Sequence, residues 1–197
     1  MQRCPWAAGD PENTRYHDEE WGRPVIDDDR LYEKLCLEGF QSGLSWLTVL
    51  KKRPQFRKQF KNFAMRKVAK MGDADIEKLL LDPGIIRHRG KIASTINNAK
   101  RALEVQAEFG TFAAYIWSFE PPRRTGPMRR DMILSETDAS RALSKDLRKR
   151  GFSFVGPTTV HAFMQAMGLV NDHLDECECQ GACETERKRL KVPKVMG

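Results

Sequence analysis

Residues 147–166 read LRKRGFSFVGPTTVHAFMQA, and the punctuation of this stretch decides the fold. A charged run stops at Gly151, the short segment Phe152-Ser153-Phe154-Val155 follows, and a second run restarts after Gly156 at Pro157. Proline is favoured in the first turn of a helix, where its missing N–H costs nothing. The pattern predicts one helix, capped by Thr137 or Asp138 and ending at Gly151, and a second over 158–167, joined by a tight hairpin. Such a hairpin turns backbone N–H groups outward at a helix N-terminus, which suits a phosphate oxygen. It is equally an ordinary connection between packed helices. A companion turn, DPGIIRHRGKI at 82–92, carries Arg87, Arg89 and Lys91 and strengthens the phosphate reading.

Outward from the hairpin the pattern stays helical. Asp27–Asp29 offer caps for a helix through RLYEKLCLEGF, Ser45 caps SWLTVLKKR, and Pro54 is expected to open a further short helix. Residues 73–81 form a capped segment stopped by Pro83-Gly84. From Arg89, the apolar positions Ile92, Ile96, Ala99 and Leu103 recur at helical spacing as far as Gly110. Residues 120–132 are a Pro- and Arg-rich loop. No alternating strand pattern exceeds a few residues, so the fold class is all-α. With 197 residues, one domain is expected over 1–183, its hairpin at about 148–160, with a charged, mobile tail over 184–197.

No apolar run reaches membrane-span length, and MQRCPWAAGDPE lacks the apolar core of a secretory signal. A cytoplasmic protein without a membrane partner is expected. The net charge of +7 is unevenly spread: residues 1–38 hold five Lys/Arg against ten Asp/Glu, whereas 51–70 hold nine Lys/Arg and no acid. A basic surface beside an acidic lobe fits a polyanionic partner, and fits solvated helix faces equally well.

Two side-chain sets carry chemistry. Five cysteines are an odd number, and Cys177, Cys179 and Cys183 crowd together, which suits a metal site better than a disulfide framework. His173-x3-Cys177 places two ligands one helical turn apart; Cys4 and His17 complete a tetrahedral set only if the chain ends meet, and free thiols are the alternative. His88 and His161 are expected to be contact or core residues. The second set is Trp6, Tyr16, Trp21, Glu38 and Trp46. A carboxylate between aromatics suits a flat, cationic, amine-bearing ring. On the residues alone, core aromatics with a surface Glu38 is the stronger reading.

The strings CPW…YHDEEWG, LEGFQSGLSWLTVLKKR, GIIRHRGKI, ALSKDLRKRGFSFVG and MGLVNDH, in this order from Arg3 to about Cys177, resemble the DNA-3-methyladenine glycosylase I family of the helix–hairpin–helix DNA glycosylase superfamily. The resemblance implies two helical lobes around a base-binding cleft and excision of 3-methyladenine from alkylated double-stranded DNA by a monomer. It implies one structural zinc ion per chain, held by Cys4, His17, His173 and Cys177 and joining the termini. Glu38 takes the place of the catalytic-site carboxylate that recognises the flipped base, with Tyr16 and Trp46 as pocket walls and Trp6 and Trp21 beside them. Gln41, Ser42, Gly43 and Leu44 lie where a loop enters the duplex, and Gly151, Phe152, Gly156 and Thr158 with Arg87, Arg89 and Lys91 where the backbone is held. Asn13 stands where such sequences often have tyrosine. Pro157, Thr158 and Thr159 follow the hairpin glycine, so no lysine is placed there to form a Schiff base and no strand cleavage is expected. A zinc-stabilised DNA-binding module without catalysis is the alternative; the Glu38 pocket separates the two, since a pure backbone binder has no use for it.

Overall fold

The computed structural model describes residues 2–195. Its α-helices in chain order are α1 (Pro11–Glu19), α2 (Asp28–Gln41), α3 (Trp46–Gln59), α4 (Met65–Val68), α5 (Asp73–Leu80), α6 (Arg89–Phe109), α7 (Phe112–Trp117), α8 (Asp138–Lys149), α9 (Pro157–Ala166) and α10 (Cys179–Arg189). No strand occurs among the described residues, as the all-α expectation requires. Nor, among them, is any helix long and apolar enough to cross a membrane.

The core is organised around α2. Asp27 caps it by accepting from Arg30 N, and every residue from Leu31 to Phe40 is buried, so α2 presents no solvent face along its last ten buried positions. Helices α3, α6, α7 and α9 pack around it. The apolar stripe of α6 (Ile92, Ile96, Ala99, Ala102, Val105) and that of α9 (Val160, Phe163, Met164) close over it.

The hairpin forms as the sequence predicts. Thr137 and Ser140 make a reciprocal capping box at the start of α8, whose Leu143 and Leu147 face inward. Gly151 adopts φ +85°, a conformation that an L side chain enters only with strain, and so ends the helix. Ser144 Oγ donates to Val155 O across the turn at 2.6 Å. Asn98 of α6 exchanges two hydrogen bonds with the Ser153 backbone, each 3.0 Å, fixing the hairpin to the core.

Two expectations are corrected. Pro54 opens no new helix: α3 runs unbroken from Trp46 to Gln59, because Val49, Leu50, Arg53 and Phe56 form one inward face that continues across the proline. Residues 184–189 are not a loose tail. They complete α10, where Arg187 is buried and its guanidinium reaches Glu120, Glu184 and Leu169 O. A polar, charged segment is helical here with both terminal nitrogens of its interior arginine paired.

Candidate functional site

Helix α1 and the turn before it carry Trp6, Tyr16 and His17; the turn after it carries Trp21. Asp10 caps α1 by accepting from Glu12 N, and Pro11 occupies the first helical position, so a very polar sequence still forms a helix there. The rings make a continuous row. Trp21 meets Trp6 edge-on at 5.1 Å between centroids, Trp6 lies 6.2 Å from Tyr16, and Tyr16 lies 5.1 Å from Trp46. Beside Trp6 and Trp21 is a cavity of about 250 Å³, also lined by Arg130, Ile133, Gln165 and Asp172.

Glu38, on the last turn of α2, is only 5% exposed, at the Tyr16–Trp46 end of this row. It is not the surface residue that its local sequence suggests. The Tyr16 hydroxyl and Trp46 Nε1 are buried and lack a protein partner. Buried donors without acceptors are costly, and a polar ligand that reached them would relieve that cost. Burial, reinforced by Glu38 and Glu20, pushes the Tyr16 hydroxyl well above its ordinary pKa, so it stays a neutral donor.

Sequence reasoning missed Lys34. One helical turn before Glu38, it is equally buried, and its Nζ lies 2.6 Å from Glu38 Oε1. The signal was a Lys–Glu pair at i,i+4 inside an otherwise apolar helix. Next to it, Arg53 holds Glu20 through two hydrogen bonds of 2.6 and 2.7 Å.

A second cluster backs the aromatic row. Cys4, His17, His173 and Cys177 are all buried, with their ligand atoms within 4.8 Å of one another. Cys177 Sγ is 3.5 Å from His17 Nε2 and 3.4 Å from His173 Nδ1, and Cys4 Sγ is 3.7 Å from His173 Nδ1. A tetrahedral zinc with Zn–N near 2.0 Å and Zn–S near 2.3 Å sets ligand–ligand edges of about 3.3–3.8 Å. The other ring nitrogens are already engaged: His17 Nδ1 with Asp18 Oδ1 at 2.8 Å, and His173 Nε2 with Trp21 O at 3.0 Å. Since those partners only accept, each ring keeps its proton there and turns a lone pair toward the sulfurs. Gly22, at φ +81°, is required beside this cluster, because a Cβ would come within 2.9 Å of His173 Nε2. Burial pushes the Cys4 thiol up to about 12 and the His173 imidazole down to about 4, so without a cation both stay uncharged. Cys179 and Cys183 lie outside the set, 4.0 Å from Asp18 Oδ1 and 3.9 Å from Trp21 O respectively.

Three loops far apart in sequence converge on one face. The 41–44 loop, with Gly43 at φ +79° and an exposed Leu44, begins at the end of α2, three residues after Glu38. His88 of the second loop stands 6.0 Å from the ring of Phe154 at the exposed hairpin tip. Asn97 Nδ2 donates to Gly151 O. Gln41 is half-buried, while Arg87, Arg89, Gly151 and Thr158 are exposed and Gly156 partly so; Arg89 also pairs with Glu77. Two expected backbone contacts are corrected. Lys91 is 7% exposed, and its Nζ donates to Phe40 O and Ser42 O, at 2.9 and 2.5 Å, so it ties down the 41–44 loop instead of facing phosphate. Phe152 is buried against Phe112 as part of the core.

A buried carboxylate and unpartnered donors among aromatic faces suit a flat, polar, cationic ring. A family model for methyladenine glycosylases matches residues 6–180. DNA-3-methyladenine glycosylase 1 of Escherichia coli (strain K12) is 50% identical over 181 residues, covering 91% of this chain and 97% of that protein. A crystal structure of 3-methyladenine DNA glycosylase I matches with a TM-score of 0.86 at 49% identity, covering 91% of this chain and 100% of that one. The Staphylococcus aureus enzyme, whose structure describes the basis of 3-methyladenine recognition, gives 0.87 at 36% identity, covering 91% and 97%. The chain belongs to the DNA-3-methyladenine glycosylase I family.

Proposed function

We propose that this protein draws 3-methyladenine out of alkylated double-stranded DNA and hydrolyses its glycosidic bond, as a monofunctional repair glycosylase with one structural zinc ion. The observation that carries the reading is the buried Glu38 carboxylate at the end of an aromatic row whose Tyr16 hydroxyl and Trp46 indole N–H await acceptors. Methylation at N3 makes adenine a cation, so the base leaves neutral and needs no general acid. The remaining tasks are extraction, recognition and admission of water. Glu38 accepts from the exocyclic amine and favours the positive ring. Stacking on Trp46 and Tyr16 contributes about 1–2 kcal/mol per face once water is excluded. Unmodified adenine is neutral and better paired in the duplex, so it is harder to extract and more weakly held.

Cys4, His17, His173 and Cys177 would hold the zinc, and four protein ligands leave no position for a reacting water. When bound, the ion acts as a cross-link that fixes the Trp6–Trp21 wall. Lys34 is no nucleophile while its ammonium is paired with Glu38. The test is incubation with methylated duplex DNA and chromatography of the released bases. Free 3-methyladenine is expected, and borohydride present during the reaction is expected to trap no protein–DNA adduct. Release of no 3-methyladenine overturns the substrate assignment, and a trapped adduct overturns the monofunctional one.

A further inference from the structure

Lys34 occupies the place that the proposed function gives to the substrate. Its Nζ lies 3.3 Å from the centroid of the Trp46 ring, 4.8 Å from that of Tyr16 and 2.6 Å from Glu38 Oε1. These are the partners a cationic, amine-bearing base would use: the same carboxylate and the same two π faces. Tyr16 and Trp46 are meanwhile tilted at 44° with 5.1 Å between centroids, and the open cavity lies on the Trp6 and Trp21 side.

We propose that Lys34 is a tethered stand-in for the substrate, an intramolecular cation that fills the recognition site and that an incoming base must displace from Glu38 and Trp46. The inference rests on the pocket reading above and adds a specificity-determining residue to it. A neutral base competes poorly for a carboxylate already paired with an ammonium. An alkylated ring with a fixed positive charge competes for both the carboxylate and the π face. The lysine therefore raises the threshold for entry most for normal bases. Lys34 also borders a narrow groove lined by Glu20 and Glu33, which are themselves paired with Arg53 and Arg57.

The competition depends on pH. The groups facing Lys34 are Glu38 from α2, Tyr16 from α1 with Glu20 just beyond it, and Arg53 from α3; Arg30, Glu33 and Arg57 border the adjoining groove. Burial lowers the Lys34 ammonium to about 8 against the opposing pull of Glu38. Below that value the lysine is charged and holds the carboxylate. Above it the lysine is neutral and its hold lapses.

The experiment follows the binding of 3,9-dimethyladeninium, whose N9 methyl stands for the sugar and keeps the ring cationic, to the parent protein, Lys34→Met and Lys34→Arg by tryptophan fluorescence across this pH range, with NMR of the Lys34 side chain in the parent. In the free parent the Lys34 Cε protons should be shifted upfield by the Trp46 ring and should return toward ordinary lysine values as the base is added. Lys34→Met should bind the base roughly ten- to thirtyfold more tightly at neutral pH, the worth of one desolvated cation–π contact. That gap should close as pH rises above about 8, whereas Lys34→Arg, whose guanidinium stays charged, should match the parent below that value and bind more weakly than the parent above it. A base that binds while the Lys34 resonances stay shielded overturns the proposal, as does equal affinity of parent and Lys34→Met. If neither binds the cationic base, the pocket reading itself falls, and the inference with it. Should Lys34→Met fail to fold, the NMR titration of the parent decides alone.

Discussion

In the proposed function Glu38 is the residue on which recognition turns, and its neighbours dictate what its loss should do. Glu38→Gln keeps the shape of the side chain and removes one charge-assisted hydrogen bond to the bound base, worth roughly 1.5–3 kcal/mol. Excision of 3-methyladenine from methylated duplex should fall about 10- to 100-fold. Affinity for the duplex, measured by anisotropy, should change little, since phosphate contacts dominate it. Excision at the parent rate would show that the carboxylate is not the recognition group, and Asp172, on the cavity wall, would be the next residue to test. At this scale the sequence was legible only through family resemblance. Its own pattern favours core aromatics and a surface glutamate, because a Lys–Glu pair one turn apart is ordinarily a solvated helix pair. What reverses that reading is the packing of four helices around α2, which no local pattern contains.

Among the elements, the short loop after α2 is set by a helix distant in sequence. Lys91 reaches from the first turn of α6 to two carbonyls at the end of α2, Phe40 O and Ser42 O, where a cation also complements the helix dipole. Lys91→Met should strand both acceptors. The expected cost is about 1–3 kcal/mol in urea unfolding, together with several-fold slower excision as the 41–44 loop loses its anchor. Unchanged unfolding and unchanged excision would show that the loop is held some other way. The lysine in GIIRHRGKI reads as a phosphate contact because lysines on loops usually face solvent, and only the carbonyls above it reveal its inward course. Helices α2, α5, α6, α8 and α9 and the first half of α3 were legible from caps and apolar spacing. Helices α1 and α10 were not: they are mostly polar, and each turns inward a few side chains whose partners come from the other end of the chain.

For the molecule as a whole, the uneven charge resolves into contacts. Lys51 pairs with Asp10, Arg53 with Glu20 and Arg57 with Glu33, so the acidic first segment neutralises much of the basic face of α3. That correction narrows the expected DNA footprint toward the converging loops. The Cys/His cluster has the widest reach, because His17 and His173 touch the rings of Trp6 and Trp21. Metal analysis is expected to find about one zinc per chain. Cys4→Ser should lose it, and a loss of ~3 kcal/mol, modest for a structural site, lowers Tm by about 6–12 °C in a chain of this size. Binding of 3-methyladenine should weaken in the same variant as the aromatic wall loosens. A metal-free protein with unchanged melting would remove zinc from the account.

The junction of the two chain ends also orders events in time. Gln2 N donates to Glu178 Oε1, Glu178 N donates to Gln2 O, and Cys4 meets His173 and Cys177, so residues 2–4 are secured by residues 173–178. During synthesis, α2 with its Glu38 leaves the ribosome long before the partners that anchor Trp6 and hold Trp21 in place. A nascent chain therefore carries the carboxylate without a finished aromatic wall. The aromatic wall is completed only once residues 173–178 have emerged to meet Cys4 and Gln2.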